Sequence, residues 1–143
     1  MKNRFKIEGD IATIYIPYLD QVLETIIDTK DLPVAQSFIG TWRAFSTRPG
    51  KYYIGGGIFF RRNGNIPGHT KQFTLARLLM GFPEELVVDH INDNSLDNRR
   101  SVNLQAITSS ENVKKQIKKR GKGVYRTVRR RAGELGLGHL YDL

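Results

Sequence analysis

The stretch VVDHINDNSLDNRRSVNLQAITSSEN, residues 87–112, decides how this chain is read. A β-branched run closes on Asp89-His90, turn formers fill residues 91–101, an apolar run returns at 104–107, and Thr108-Ser109-Ser110-Glu111 follows. Short Val-, Ile- and Leu-rich runs bounded by Asn, Asp and Ser read as strands, so residues 86–90 and 104–107 are predicted to face each other across a long polar loop. Thr108 as N-cap with Glu111 three residues on is a capping box, which predicts a helix from residue 109 toward residue 119. The order is strand, loop, strand, helix. Such a hairpin has to bury its apolar side on the helix, with Leu86, Val87, Leu104, Ile107, Val113 and Ile117 as the shared core, and this brings Asp89 and His90 toward Asn112.

Aspartate and asparagine supply hard oxygen ligands of the kind Mg²⁺ takes while keeping several waters, so Asp89 and Asn112 are the candidate metal ligands. A neutral imidazole beside them can take a proton from water, which makes His90 the candidate general base, and Asn103 is placed to fix its tautomer. This set suits hydrolysis of a phosphodiester. One geometric condition follows from strand alternation: His90 points away from the face of Asp89 unless a bulge or the end of the strand turns it. The loop is not an EF-hand, because counting from Asp93 the sixth position is Asn98 instead of Gly and the twelfth is Leu104 instead of Glu. His69 and His139 have no partnering pattern.

A chain of 143 residues predicts one modest body with appendages. The net charge of +9 is unevenly placed: residues 1–112 carry 13 basic and 12 acidic groups, whereas residues 113–143 carry 10 and 2. No acid occurs from residue 112 to residue 133, so the C-terminal block has the composition of a polyanion-binding arm, where each cation that neutralises a phosphate releases a counterion. It lacks the amphipathic stripe with aromatic anchors that a membrane surface requires. With no cysteine, disulfides, thiolate metal sites and thiol nucleophiles are excluded. The first ten residues lack the apolar segment of a signal peptide and no run is long enough to span a bilayer, so a cytoplasmic location is expected.

Toward the N-terminus, residues 5–7 and 11–16 are predicted as strands joined by the turn Glu8-Gly9-Asp10, with Pro17 ending the second. Residues 22–28 are apolar and ambiguous between helix and strand. Residues 42–45 and 51–60 are predicted as an aromatic-rich hairpin interrupted by Gly55-Gly56-Gly57, residues 61–70 as a polar loop, and residues 75–80 as a short helix stopped at Gly81 and Pro83.

The string VDHINDNSLDNRRSVNLQAITSSEN resembles the HNH endonucleases, and more narrowly the phage-type group similar to intron homing enzymes, whose pattern is roughly DHINGNxLDNRxxNLRxxTxxxN. The resemblance covers residues 73–113 and implies a ββα-metal site in which Asp89 and Asn112 bind a divalent ion, His90 is the general base and Asn103 orients it, the H-N-N form. The interval from His90 to Asn103 is one residue longer than the usual pattern, with Val102 as the insertion, and Ala76 stands where many relatives carry His. Residues 121–143, GKGVYRTVRRRAGELGLGHLYDL, begin like the small DNA-binding module often appended to these nucleases, whose usual opening is GVYR, then stop before it could close.

The resulting expectation is an α+β chain: a β-rich region over 1–70 with possible DNA contact, an HNH nuclease core over 71–120, and a basic tail over 121–143. It acts on DNA with Mg²⁺, or Mn²⁺ in its place, as a monomer or homodimer with no membrane contact, in a bacterial host of a phage or mobile element. Arg99, Arg100, Lys114, Lys115, Lys118, Lys119, Arg120, Lys122 and Arg126 are the expected nucleic-acid contacts. The competing expectation is a DNA-binding protein that keeps the scaffold with a silent nuclease site.

Overall fold

The computed structural model describes residues 1–120, an α+β chain in which strands predominate. It divides into two compact units, Met1–Phe82 with His90–Gln105, and Pro83–Asp89 with the segment that begins at Ala106. No helix among the described residues is long and apolar enough to cross a membrane.

The first unit opens with an antiparallel meander, β1 (Phe5–Glu8), β2 (Ile11–Tyr18) and β3 (Gln21–Asp28). Glu8 pairs with Ile11 across a tight turn in which Gly9 takes φ +60°, a left-handed conformation that costs glycine little. The ambiguous segment 22–28 is β3, paired residue by residue with β2 from Ile11↔Asp28 to Tyr18↔Gln21. Alternation then works as the pleat requires: Ala12, Ile14 and Ile16 on β2 are fully buried. A short helix α1 (Leu32–Gln36) follows, with proline near its start, where the missing N–H is not needed.

A second antiparallel sheet consists of β4 (Arg43–Arg48), β5 (Lys51–Phe60) and β6 (His69–Thr74), with β5 in the middle. The expected hairpin is there, displaced toward residue 48 on its first arm. Strand β6 lies partly within what reads as a polar loop. Its sequence HTKQFT has almost no apolar signal, and it is a strand because each residue from His69 to Thr74 meets a partner on β5.

The core of this unit is aromatic. Trp42 is fully buried and donates Nε1–H to the carbonyl of Ala35 at 3.1 Å. Asn3 accepts from the Trp42 amide at 2.7 Å and donates to the carbonyls of Trp42 and Tyr15, so the first residues of the chain are tied to the second sheet. Phe38 packs 4.5 Å from Trp42 and 5.5 Å from Phe73, centroid to centroid. The glycine triplet on β5 is explained by this packing: a Cβ at Gly56 would meet the Phe38 ring at 2.7 Å, and one at Gly55 would meet Phe45 at 2.9 Å. Helix α2 (Leu75–Leu79) follows β6 and is capped by Thr74, whose hydroxyl accepts from the Arg77 amide at 3.2 Å.

Strands β7 (Val87–His90) and β8 (Leu104–Ile107) pair, and helix α3 (Ser109–Arg120) comes next. The capping box forms in both directions: Thr108 N–H reaches Glu111 Oε2 at 2.9 Å, and Glu111 N–H reaches Thr108 Oγ1 at 3.1 Å. The intervening loop belongs to the first unit because it adds to the free edge of β3. Ile26 N–H donates to Leu96 O at 3.0 Å and Asn98 N–H donates to Ile26 O at 2.8 Å. Asp28 receives both N–H and Oγ–H of Ser101, and Asp31 holds Arg100 through two nitrogens at 3.1 and 2.8 Å.

Candidate active site

His90 closes β7, is 8% exposed, and places Nε2 2.9 Å from Oδ1 of Asn98. The proton positions follow from a chain of partners. Thr25 donates its hydroxyl hydrogen to Leu96 O at 2.7 Å, so its oxygen can accept from Asn98 Nδ2 at 2.9 Å. With that nitrogen directed at Thr25, the oxygen of the Asn98 amide faces the ring, and Nε2 has to carry the hydrogen. The basic lone pair of the neutral imidazole is then on Nδ1. Tyr53, on β5, stands against the same imidazole with centroids 6.3 Å apart. The strand ends here, since Asp93 N–H turns back to His90 O at 3.0 Å with Asp93 at φ +60°.

Asn103 takes a different place from the one expected of it. Its Oδ1 accepts from the Asn92 amide at 2.9 Å and its Nδ2 donates to Asp97 O at 2.7 Å, so it ties the two ends of the loop and Asn98 is the carboxamide on the ring. A turn with Asn103 N–H on Arg99 O at 2.8 Å lets Val102 stand 57% exposed, and Ile91 N–H still meets Asn103 O at 2.8 Å. β7 and β8 remain paired across the longer loop. Asn98 was overlooked because an asparagine in a run of turn formers reads as a turn residue; the signal was its position inside LDNR, within the family string, at a site 1% exposed.

Asp97 anchors the loop. It takes Arg99 Nε and a terminal guanidinium nitrogen at 2.8 Å each, and accepts from the side-chain Nδ2 of Asn92 at 3.3 Å. These hydrogen bonds, with Arg99 the main one, hold the Asp97 carboxyl below the ordinary carboxylate range despite its burial. A depressed folded value means the group stabilises the fold above the unfolded value of about 3.9, and that this contribution is lost as pH falls through the lower folded one. Acid unfolding monitored by circular dichroism is expected to show a shallower loss below about pH 4 for Asp97→Asn than for the parent chain. Parallel acid limbs would exclude Asp97 as a linked group.

In the second unit Asp89 is 7% exposed, and Lys115 places Nζ 2.6 Å from its Oδ2. Asn112 lies three residues before Lys115 on α3, which puts the two on one face of the helix, the face that Lys115 shows to be turned toward Asp89. The donor set tested for a divalent ion is thus one carboxylate and one carboxamide, both hard oxygens, with a cationic group already drawn to the carboxylate. That chemistry fits a cation. Among the described residues no cluster of three or more His, Cys, Asp or Glu side chains is arranged to hold a metal.

Three of the cations expected at nucleic acid are engaged within the protein: Arg99 with Asp97, Arg100 with Asp31 and Lys115 with Asp89. A guanidinium that already neutralises a carboxylate in bidentate fashion releases little counterion on meeting a phosphate. Lys114, Lys118 and Lys119 are exposed on α3. The side chain of Arg120, together with Lys122, Arg126 and the rest of the expected tail, lies outside the described residues.

A buried, tautomer-locked histidine at the end of a strand, followed by a pinned loop, a returning strand and a capped helix, has the makings of a nuclease. Residues 58–114, from the last three residues of β5 into α3, match the family model of the HNH endonuclease, so the chain carries an HNH endonuclease domain over that span. Nuclease activity in general, DNA as substrate and use of a divalent ion are what such a domain implies. No curated protein and no solved structure gave a match.

Proposed function

We propose that the protein is a divalent-metal-dependent DNA endonuclease in which His90 is the general base. The observation that supports this reading is the Thr25–Asn98–His90 relay, which directs Nε2–H at Asn98 and so puts the basic lone pair of the neutral ring on Nδ1, the atom that would take the proton of an attacking water. Asn98 is a positioning residue, and Asn103 supports it by holding the loop. Asp89 and Asn112 would hold a Mg²⁺ or Mn²⁺ ion, with Lys115 yielding Asp89 Oδ2 to it. When bound, the ion supplies charge stabilisation at the phosphate and the leaving 3′-oxygen. The domain would work in the cytoplasm of a bacterial host of a phage or mobile element; one site per chain nicks as a monomer, and a homodimer has a second centre.

The runner-up is a catalytically silent DNA-binding protein, favoured by the close ion pair that already satisfies Asp89. Supercoiled plasmid incubated with Mn²⁺ or Mg²⁺ separates the two. Relaxed circles indicate nicking, linear product indicates paired cuts, and plasmid left intact with every divalent ion favours the silent protein. Asp89→Ala is expected to raise the Mn²⁺ concentration needed for half-maximal cleavage roughly tenfold or more; an unchanged metal response would remove Asp89 as a ligand.

A further inference from the structure

With Arg99 and Arg100 committed to internal carboxylates, the first unit needs other cations if it is to hold a duplex. From Leu32 to Pro83 the sequence contains no acidic residue and seven basic ones: Arg43, Arg48, Lys51, Arg61, Arg62, Lys71 and Arg77. Averaged over residues 1–112 this excess disappears, because acids outnumber bases in residues 1–31 and again through Glu84, Glu85, Asp89 and Glu111. The fold places all of these bases but Arg77, which is on α2, on the β4–β5–β6 sheet and its loops. Arg43, Arg48, Arg61, Arg62 and Lys71 are all exposed, and none of them is in an ion pair among the described residues.

We propose that the far end of the β5–β6 hairpin, with Arg61, Arg62 and Lys71, is a second DNA-backbone contact of the nuclease, a proposal that rests on the endonuclease reading above. Register supports it. Lys71 is paired with Ile58 and His69 with Phe60, so these four side chains share one face, and Lys71 Nζ stands 5.7 Å above the Phe60 ring. Phe59 and Phe60 are 64% and 43% exposed beside these cations. Apolar rings framed by charge of a single sign fit the sugar edge of a polyanion, and a merely solvated surface would mix both signs. Distance supports it as well. Tyr53 touches His90 at one end of β5 and Arg61 follows Phe60 at the other, so the contact lies about 26 Å from the imidazole along the strand, or roughly eight base pairs of duplex.

The test is duplex-DNA binding by fluorescence anisotropy in EDTA across a salt series, comparing the full chain with the triple variant Arg61→Gln, Arg62→Gln, Lys71→Gln. The slope of log K against log salt is expected to shrink by about 2 to 3, and affinity near 0.1 M salt to fall roughly a hundredfold or more. An unchanged slope in a variant that melts like the parent overturns the proposal; should the triple variant not fold, Arg61→Gln alone is expected to shift the slope by about 0.9. Preference for duplex RNA over duplex DNA of the same length would also overturn it. Plasmid cleavage by the parent chain together with an unchanged slope removes this surface and leaves the nuclease standing. A reduced slope with no cleavage under any divalent ion removes the nuclease and leaves the surface.

Discussion

His90→Ala is expected to slow plasmid cleavage by roughly 10²–10⁴-fold, the range that loss of a positioned general base produces. Duplex binding in EDTA should stay near that of the parent, because the ring is buried and is not among the exposed cations proposed to meet the backbone. The substitution also orphans Asn98 Oδ1, at a cost of roughly 1–3 kcal/mol, so melting has to be measured on the same preparation and cleavage assayed well below the midpoint. Cleavage at the parental rate by a folded His90→Ala protein would sink the assignment of His90.

Asn98→Ala is expected to have the second large effect, on stability and on cleavage together. Asn98 is 1% exposed and links Thr25, Ser95 and His90, and its removal strands the Nε2–H of the ring and the lone pair of Thr25 in a dry interior. Two orphaned groups cost roughly 2–4 kcal/mol, lowering the melting midpoint by about 10 °C. Cleavage falls too, since nothing then selects the tautomer that leaves Nδ1 basic. A double-mutant cycle isolates the relay: in a His90→Ala background, Asn98→Ala should cost cleavage little further. Additive losses would mean that Asn98 does not act through His90.

Much of the second unit was readable in the residues because it is built from local rules. Thr108 and Glu111 are three positions apart, and a capping box needs nothing else. The Gly9 turn and the strand pair around the loop rest on signals equally short in range. Strand β6 and the ambiguous segment 22–28 became strands through partners far along the chain, which no window of a few residues contains. The same limit hid the site's internal order. Asn103 and Asn98 are the same residue type five positions apart, and which of them meets the imidazole is set by partners such as Thr25, far along the chain.

By itself, then, the sequence determined the elements from residue 87 onward, the family of the central span, the absence of thiol chemistry and the identity of the candidate base, because each follows from residue type at short spacing. Only the tertiary structure decided which carboxamide holds His90, which arginines are already neutralised by Asp97 and Asp31, and where unpaired positive charge collects. Those outcomes are set by hydrogen bonds and ion pairs between residues as much as 73 positions apart, such as Asn98 with Thr25, and by burial, which makes each such partner obligatory.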